Sequence, residues 1–423
     1  MFKLQRIKIH QCRLVLPGTE LEFKAGVNIL LGKNGAGKTT LLKLVSAAMG
    51  SCFVDEFGAD DLHVEYAYTI GDVGVACEVR QGQAGGGGPL AADAVSPRAR
   101  NFYFKAEFSG PGCTLATAEI RGNRLDVTSA GSPLHSREIN PMIAVVPSLD
   151  LVALIAAMMP PNDLAPAIRD ALGERSRVTY RLDEASDWLR QTIRDFAVIF
   201  TAIDDDERWC LPNVRHTGAS EEFRAALAEH RGRFADLPEV ITLHSRDLPF
   251  LERACRQIGL SDISWTLSFL EHDRRLTETK RYGNSQVYVT TTGGTRLPLE
   301  KLSFGQLRLF GFFLHTMMHP HASVIDELTN GLHHEMIDCC LETIGEHQAF
   351  LATQNPLLID YVGFASAEEA RRTFILCELQ SAANGEKAML WRNMKEEEAR
   401  EFYGDYEVGI QHANDILRKR GLW

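Results

Sequence analysis

The stretch that decides the fold runs Gly32-Lys33-Asn34-Gly35-Ala36-Gly37-Lys38-Thr39-Thr40. A largely apolar run, residues 27–31, precedes it, and residues 41–45 continue it as the start of an apolar helix. Strand, glycine-rich loop and helix in this order fit the P-loop pattern G-x-x-x-x-G-K-[ST]. Glycines let backbone N–H groups turn inward toward phosphate oxygens, and the helix N-terminus adds its positive dipole end. The sequence therefore predicts a binding site for a nucleoside triphosphate.

The residue types of this loop match the chemistry of phosphate binding. Lys38 would reach the β- and γ-phosphates, and the hydroxyl of Thr39 would bind Mg²⁺. A glycine turn that fits the pattern by chance is the alternative, but strand, loop, Lys-Thr pair and helix follow in the required order. The expected nucleotide-binding residues of this segment are Asn34, Gly35, Ala36, Gly37, Lys38, Thr39 and Thr40.

Length and composition narrow the class of protein. A chain of 423 residues with 45% hydrophobic content is long enough for two or three globular domains. No run of about 18 apolar residues occurs, so we expect no membrane span. The first six residues lack a signal-peptide core, and the nine cysteines form no C-x-x-C pair, which predicts reduced thiols in a cytoplasmic protein. The net charge of −11 argues against broad attraction to nucleic acid, although a local basic groove stays open.

Alternating patterns in the first third of the chain predict antiparallel strands. Residues 3–31, 63–78 and 101–128 alternate apolar or aromatic side chains with polar ones, which is typical of sheets with one packed face. Residues 85–100 are rich in glycine and predict a loop, and residues 142–146 predict a short buried strand. We expect an antiparallel β-subdomain beside the P-loop.

Residues 150–285 read as an inserted helical domain. Arginines recur through it, but acids are mixed among them, and solvated helix faces explain such a mixture more simply than a binding groove does. Nucleic-acid contact by this segment stays open as the alternative. The expected helices are residues 185–202, 221–230, 248–258 and 267–280.

A second set of candidate catalytic and nucleotide-binding residues lies between positions 303 and 327. Ser303-Phe304-Gly305-Gln306 precedes an apolar helix, and the apolar residues 322–325 then end in Asp326 and Glu327. An aspartate at such a strand end can hold Mg²⁺ beside the P-loop threonine, and the adjacent glutamate can polarise the attacking water. Five histidines near this region do not share one element, so we expect no metal site from them; they are His315, His319, His321, His333 and His334.

Together these motifs resemble those of AAA family ATPases of the ABC type, in the SMC/RecF/OLD group. Gly32–Thr40, Ser303–Gln306 and Asp326–Glu327 look like Walker A, the signature and Walker B, and Asn330–His333 resembles the D-loop. The resemblance implies an α/β fold: an ABC-type P-loop ATPase head with an antiparallel β-subdomain and an inserted helical domain. The expected segments are 1–149 for the first half of the head, 150–285 for the insertion and 286–423 for the second half, with C-terminal strands and a helix.

The resemblance also implies a mechanism. ATP and Mg²⁺ are the expected cofactors, with Thr39 and Asp326 at the metal and Lys38 and Glu327 in catalysis. In this family the P-loop of one protomer binds ATP against the signature of another, so hydrolysis is expected to require a homodimer. The signature residues expected to reach the partner's nucleotide are Ser303, Gly305 and Gln306.

Three departures from the family pattern matter. Phe304 replaces the second glycine of the signature, and no glutamine stands out as the Q-loop. Gln354 occupies the position of the switch histidine. A neutral amide can hydrogen-bond a γ-phosphate but cannot carry a proton. We therefore expect slow hydrolysis, with bound ATP acting as a clamp or a signal of state.

Two functions compete at this level. The first is a sensor or scaffold that controls a separately encoded effector, expected to be a nuclease, as in the ATPase subunits of anti-phage systems such as PARIS, Septu and retron-associated modules. The expected lack of room for a nuclease domain after the ATPase favours it. The second is a RecF-type DNA-binding ATPase of repair or recombination. A transporter ATPase is disfavoured by the long insertion.

Overall fold

The structure, a computed structural model, describes most of the chain. The described residues are 2–50, 52–58, 60–82, 102–110, 113–129, 132–139, 151–152, 155, 181–182, 185–202, 209–215, 225–227, 236–274, 278–318, 322–345, 347–381 and 387–423. The predicted loop 85–100 and the predicted strand 142–146 lie outside them, as does most of the predicted helix 221–230.

The elements follow in chain order. The strands are β1 (Phe2–Cys12), β2 (Thr19–Glu22), β3 (Val27–Leu31), β4 (Leu62–Ile70), β5 (Val73–Gln81), β6 (Tyr103–Gly110), β7 (Cys113–Arg121), β8 (Arg124–Ser129), β9 (Ser132–Glu138), β10 (Arg181–Leu182), β11 (Ala197–Ala202), β12 (Trp209–Arg215), β13 (Val240–His244), β14 (Leu260–Asp273), β15 (Thr279–Thr291), β16 (Arg296–Pro298), β17 (Ala322–Asp326), β18 (Gln348–Ala352), β19 (Phe374–Ser381) and β20 (Lys387–Asn393). The helices are α1 (Lys38–Met49), α2 (Phe53–Phe57), α3 (Ala185–Asp195), α4 (Pro249–Ile258), α5 (Phe304–Met318), α6 (His334–Ile344), α7 (Leu357–Asp360), α8 (Ala367–Thr373), α9 (Glu396–Glu407) and α10 (Ala413–Lys419).

The chain divides into two compact units. The first consists of Met1–Arg181, His321–Leu328 and Ile344–Trp423, and the second of Leu182–Pro320 and Thr329–Thr343. The second unit therefore includes residues 286–320, which the sequence groups with the C-terminal half of the head.

A mostly parallel sheet carries the P-loop in the first unit. Its order is β10-β17-β18-β3-β19-β20, and β3 runs parallel to β18 on one side and to β19 on the other. All five residues of β18 are buried, which is typical of a parallel sheet covered on both faces. Because β3, β17 and β18 are parallel, their carboxyl ends meet at one edge, where ligands bind in open α/β sheets.

An antiparallel sheet forms the rest of the strand-rich part of this unit. Its described strands follow the order β2-β1-β4-β5-β6-β7-β8-β9. Along β4 buried and half-buried residues alternate, with Val64, Tyr66 and Tyr68 in the core. The α/β class with a P-loop and an antiparallel β-subdomain is therefore confirmed.

The second unit is mixed rather than helical. Antiparallel strands in the order β12-β11-β15-β14-β13 form a sheet, and α3, α4, α5 and α6 without its last residue, Ile344, belong to the same unit. The predicted helix 248–258 corresponds to α4, which begins at Pro249 and ends at Ile258. The next residue, Gly259, has a left-handed backbone with φ 77°. The description of the insertion as helical is wrong for its described residues.

Two predicted helices need correction. Of residues 267–280, residues 267–273 lie in β14 and residues 279–280 lie in β15, and Leu267 is buried next to the half-buried Thr266. The predicted helix 185–202 stops at Asp195, and β11 follows with Phe200 fully buried. In both segments antiparallel strand pairing replaces the predicted helix, and tertiary context of this kind overrides a local helical preference.

The C-terminal helix is also divided. The sequence predicts one helix, but α9 and α10 are separated by a turn in which Gly409 has φ 71°. None of the described helices combines the length and the apolar character that crossing a membrane requires.

Candidate functional site

The loop between β3 and α1 needs glycine at two of its positions. A Cβ on Gly37, which has φ 83°, would collide with the sulfur of Met389 and the ring of Trp391. A Cβ on Gly32 would collide with the backbone carbonyl of Cys377. The residues that approach these two glycines belong to β19 and β20, so both strands pack closely against the loop.

The side chain of Lys38 lies inside the loop and contacts its backbone. Its Nζ donates to the carbonyl oxygen of Gly32 at 2.7 Å and to that of Lys33 at 3.3 Å. The residue is 7% exposed, and in the P-loop pattern the lysine at this position contacts the β- and γ-phosphates. A cation held inside the loop can neutralise the charge of a bound phosphate.

A tryptophan fixes the loop from the other side. Trp391 Nε1 donates to the carbonyl oxygen of Ala36 at 3.0 Å, and both residues are buried. The two residues are 355 positions apart in the chain. Sequence reasoning missed this contact, because a tryptophan in a C-terminal strand carries no signal that its partner is the P-loop.

Cys377 lies beneath the same loop and is chemically inert there. Burial raises the pKa of its thiol to about 12, although the nearby Lys38 ammonium opposes this rise. The thiol therefore stays protonated and adds no negative charge beside Lys38.

Thr39 and Asp326 meet at the edge of the parallel sheet. The hydroxyl of Thr39 donates to Asp326 Oδ2 at 2.7 Å, across 287 positions of sequence. Asp326 is the last residue of β17, whose pairing with β18 places its end beside the P-loop. Hydroxyl and carboxylate oxygens are hard ligands of the kind that Mg²⁺ prefers, so these residues fit the expected ion.

Glu327 and Gln354 form the third contact of the site. Gln354 Nε2 donates to Glu327 Oε1 at 2.9 Å, and the backbone N–H of Glu327 donates to the carbonyl oxygen of Ala352 at 2.9 Å. Glu327 has φ 51°, a left-handed backbone that costs a non-glycine residue about 1–2 kcal/mol. Such strain often occurs at functional positions, where surrounding structure holds it in place.

A turn after β18 holds the backbone of Gln354. The N–H of Asn355 donates to the hydroxyl oxygen of Thr353 at 2.9 Å, and the N–H of Leu357 donates to Asn355 Oδ1 at 3.0 Å. Thr353 is fully buried. The side chains of Thr353 and Asn355 thus accept hydrogen bonds from backbone N–H groups of the turn that contains Gln354. We expect these bonds to keep the Gln354 amide beside Glu327.

The signature residues lie in the second unit, at the start of α5. The N–H of Ser303 donates to Gln306 Oε1 at 3.0 Å, and the N–H of Gln306 points back to Ser303 Oγ at 3.4 Å. This reciprocal pair is a capping box, which satisfies backbone donors at a helix start. Gln306 Nε2 also donates to the carbonyl oxygen of Ile258 at 3.3 Å, so this side chain has a structural role in its own unit.

The D-loop packs against the signature within the second unit. A Cβ on Gly305 would collide with the carbonyl oxygen of Gly331, and a Cβ on Gly331, at φ 76°, would meet the ring of Phe304. The ring of Phe304 is 57% exposed. The departure from glycine at position 304 therefore places an aromatic ring at the surface of this segment.

The predicted site residues fall into two groups. The structure brings Lys38, Thr39, Asp326, Glu327 and Gln354 together in the first unit, on the loop and at the strand ends that the sequence indicates. Ser303, Gly305 and Gln306 belong to the second unit. Asn34 to Gly37 form the loop itself, and Thr40 lies in the first turn of α1.

Comparisons with known proteins agree with this type of site. A family model described as "AAA domain, putative AbiEii toxin, Type IV TA system" matches residues 161–360, and a second, described as "AAA domain", matches residues 6–75. The DNA double-strand break repair Rad50 ATPase of Methanopyrus kandleri is 46% identical over 46 residues, which are 11% of this chain and 5% of that protein. The chain thus spans about a twentieth of that relative.

Two solved structures are similar over most of the chain. The SMC head domain from Thermotoga maritima has 12% identity and a TM-score of 0.38, and the match covers 93% of this chain and 99% of that one. The Smc head domain with an extended coiled coil from Pyrococcus furiosus, bound to the C-terminal domain of ScpA, has 9% identity and a TM-score of 0.40, over 96% and 100% of the two chains. The P-loop lies within the stretch that the model described as "AAA domain" matches, and Ser303, Asp326 and Gln354 lie within the stretch that the other model matches.

Proposed function

We propose that this chain is an ATPase that binds ATP with Mg²⁺ at the P-loop and hydrolyses it slowly. The observation that carries the proposal is the contact between Thr39 Oγ1 and Asp326 Oδ2, which is 2.7 Å long. Lys38, which precedes Thr39 in the chain, has its ammonium group inside the loop at the carbonyl oxygen of Gly32. A hydroxyl, a carboxylate and a lysine are brought together at the end of a parallel sheet, and phosphoryl transfer needs these groups.

Each residue has a distinct task in this proposal. Lys38 neutralises charge on the transferred phosphoryl group. Thr39 and Asp326 would hold Mg²⁺, and a bound Mg²⁺ would offset charge on the phosphate oxygens. Glu327 accepts the proton of the attacking water, and Gln354 holds the carboxylate of Glu327 through its amide. The amide itself takes no proton, so turnover is expected below about 1 s⁻¹, at the low end of enzyme rates.

The test is nucleotide binding and phosphate release by the full chain and two variants. Lys38→Ala should lose ATP binding, whereas Glu327→Gln should retain binding and lose about 100-fold or more in turnover. Lys43→Ala, in the same helix but outside the site, is the matched control and should behave like wild type. Equal turnover in wild type and Glu327→Gln would remove Glu327 from the mechanism, and unchanged ATP binding in Lys38→Ala would refute the site.

A controlling function follows from slow turnover. An ATP molecule that stays bound for seconds can hold a dimer together, with the P-loop of one chain facing the signature of the other, and can mark an assembled state. We propose that this state restrains a separately encoded effector, a nuclease or toxin of bacterial anti-phage defence. The family model that matches residues 161–360 is described with the words toxin and TA system, which supports a place for this chain in a toxin–antitoxin type of system.

A co-purification experiment tests this second step. The chain is expressed with the product of each neighbouring gene, and its native mass is measured with ATP, with ADP and without nucleotide. A partner retained by wild type in ATP, and released by Lys38→Ala, supports control of an effector. If every neighbouring product elutes separately in all three conditions, the effector proposal fails.

A DNA-repair function is the second candidate, favoured by the 46-residue match to a Rad50 ATPase. It predicts that duplex DNA binds the chain and accelerates ATP turnover, with an affinity that falls steeply as salt rises. The net charge of −11 requires a local basic surface for such binding. DNA binding that leaves ATP turnover unchanged, or no binding at low salt, would count against this candidate.

A further inference from the structure

Two histidines and two glutamates lie side by side on the outer face of the antiparallel sheet. His10 belongs to β1, His63 and Glu65 to β4, and Glu78 to β5. Among the residues that the structure describes, one ligand atom from each of His10, His63 and Glu65 lies within 4.8 Å of the other two. None of these residues takes part in the proposed ATPase reaction.

A β-bulge brings the two imidazole rings together. Ile9 pairs with Val64 and Gln11 pairs with His63, so His10 is an additional residue in β1 with no counterpart in β4. Bulges re-aim side chains and are frequent beside functional sites. The ring of His10 stacks on the ring of His63, with centroids 4.3 Å apart and planes at 23°.

The carboxylates add concentrated negative charge. Glu65 lies directly opposite Glu78 in the pairing of β4 with β5, an arrangement of like charges that destabilises a sheet. Each carboxylate accepts a hydrogen bond from an imidazole: His10 Nε2 lies 2.7 Å from Glu65 Oε1, and His63 Nε2 lies 2.8 Å from Glu78 Oε1. Arg80 Nε also donates to Glu78 Oε1, at 2.6 Å, so a permanent cation balances Glu78, whereas Glu65 faces a histidine.

We propose that His10, His63 and Glu65 bind a divalent transition metal, with Zn²⁺ as the best fit. Two imidazole nitrogens and one carboxylate oxygen are a common zinc set, with the fourth position open to water, whereas Mg²⁺ and Ca²⁺ prefer oxygen ligands alone. Tetrahedral zinc with bonds of about 2.0–2.1 Å holds its ligand atoms about 3.3 Å apart. The present ligand atoms lie within 4.8 Å of one another, so metal binding would draw these partly exposed side chains closer together.

Glu78 completes the site from outside. It accepts the hydrogen bond of His63 Nε2, and a carboxylate in this position orients a metal-binding histidine and strengthens it as a ligand. The metal would join β1 to β4 at the bulge, where the regular backbone pairing is interrupted. Its expected effect is therefore on the stability of the antiparallel sheet.

The experiment measures zinc binding to the full chain after treatment with a chelator, by calorimetry and by metal analysis after dialysis. Millimolar Mg²⁺ is present throughout, so that Asp326 and other carboxylates do not contribute. Wild type should bind one Zn²⁺ per chain with a Kd of about 1 µM or tighter. Because bound metal stabilises the folded state, Zn²⁺ should also raise the Tm. Co²⁺ in place of Zn²⁺ should give the visible absorption of a tetrahedral site.

Three variants separate this site from other histidines. His10→Gln and His63→Gln should each weaken zinc binding by more than about tenfold, and Glu78→Gln should weaken it by about tenfold while retaining the cobalt spectrum. His135→Gln removes an exposed histidine of the same sheet outside the cluster and should bind like wild type. Circular dichroism checks that each variant is folded. Equal zinc stoichiometry and affinity in wild type and in the double variant His10→Gln/His63→Gln would overturn the proposal, as would a cobalt complex without tetrahedral absorption.

Discussion

Gln354 donates a hydrogen bond from Nε2 to Oε1 of Glu327, over 2.9 Å. Gln354 follows the end of β18, and Glu327 follows the end of the neighbouring parallel strand β17. The backbone of Glu327 is left-handed directly after its strand. Two roles are open to the amide of Gln354. It holds a structural turn in place, or it limits the rate at which Glu327 accepts the proton of the attacking water. A substitution that keeps the hydrogen bond and adds a titratable group distinguishes these roles.

Replacing Gln354 by histidine should raise ATP turnover by about tenfold or more. An imidazole can hold the same position and can also carry a proton, which general acid–base catalysis uses for rate gains of this size. The measurement is steady-state phosphate release, with Gln380→His, at an exposed position of β19, as control. The interpretation of bound ATP as a clamp would be contradicted by unchanged turnover in Gln354→His. Tens of turnovers per second in wild type would contradict it as well.

Mixing two inactive chains should restore part of the ATPase activity. Ser303→Arg should bind ATP without hydrolysing it, and Lys38→Ala should not bind ATP, but a mixed dimer retains one site with both intact halves. A 1:1 mixture of chains that exchange freely should regain about a quarter of the wild-type activity for a twofold-symmetric dimer. Ser303→Ala, which loses the same helix cap at a cost of about 1 kcal/mol without introducing the arginine, is the control for folding. Mixed dimers without activity would contradict shared sites that act independently.

Gly37→Ala should damage both stability and nucleotide binding. The added Cβ would collide with Met389 and Trp391, so β20 or the loop must move, and loop N–H groups would leave the phosphate positions. Gly18→Ala is a matched control, because Gly18 has φ 85° and open space around its Cβ position. Both variants have an unfavourable left-handed alanine, which costs about 1–2 kcal/mol. Calorimetric Tm and ATP affinity should fall further in Gly37→Ala; equal losses in the two variants would contradict the packing argument.

Acid should weaken the first unit through Glu368. A hydrogen bond from Arg371 lowers the pKa of Glu368 to about 2; partial burial opposes this, and a second hydrogen bond from Arg372 adds to it. Because the folded-state pKa lies below the unfolded value, this stabilisation is complete above pH 4.5 or so and is lost as pH falls toward 2. Glu368 is largely exposed, so the effect should stay below about 1 kcal/mol.

The measurement is the Tm difference between wild type and Glu368→Gln at pH 7 and at pH 3. The difference should be present at pH 7 and smaller at pH 3, because at pH 3 the carboxyl is largely protonated in the unfolded chain and part of the benefit of its folded-state pKa of about 2 is lost. Glu397→Gln, at an exposed position in the first turn of α9, should show at pH 7 only the smaller difference that the helix dipole produces. A Glu368→Gln difference that grows as the pH falls would contradict the direction of the pKa shift.

The sequence alone determined the elements whose signals are local. The strand, loop and helix around Lys38 are contiguous, so the P-loop was predictable from one short run of residues. The alternation along β4 and β5 likewise predicted their strands, because each side chain records which face of the sheet it lies on. Asp326 was predictable as a strand-end acid for the same reason. In contrast, residues 267–280 carry apolar side chains compatible with either period, and pairing with a neighbouring strand decided between them.

Only the tertiary structure decided which of these residues meet. Thr39 and Asp326, like Ala36 and Trp391, are brought together by the order of strands in one sheet, across hundreds of positions. The stacking of His10 on His63 depends on a single extra residue in β1. Strand order and register are set by the summed burial of whole strands and by backbone hydrogen bonds between them, and no local run of residues records that sum.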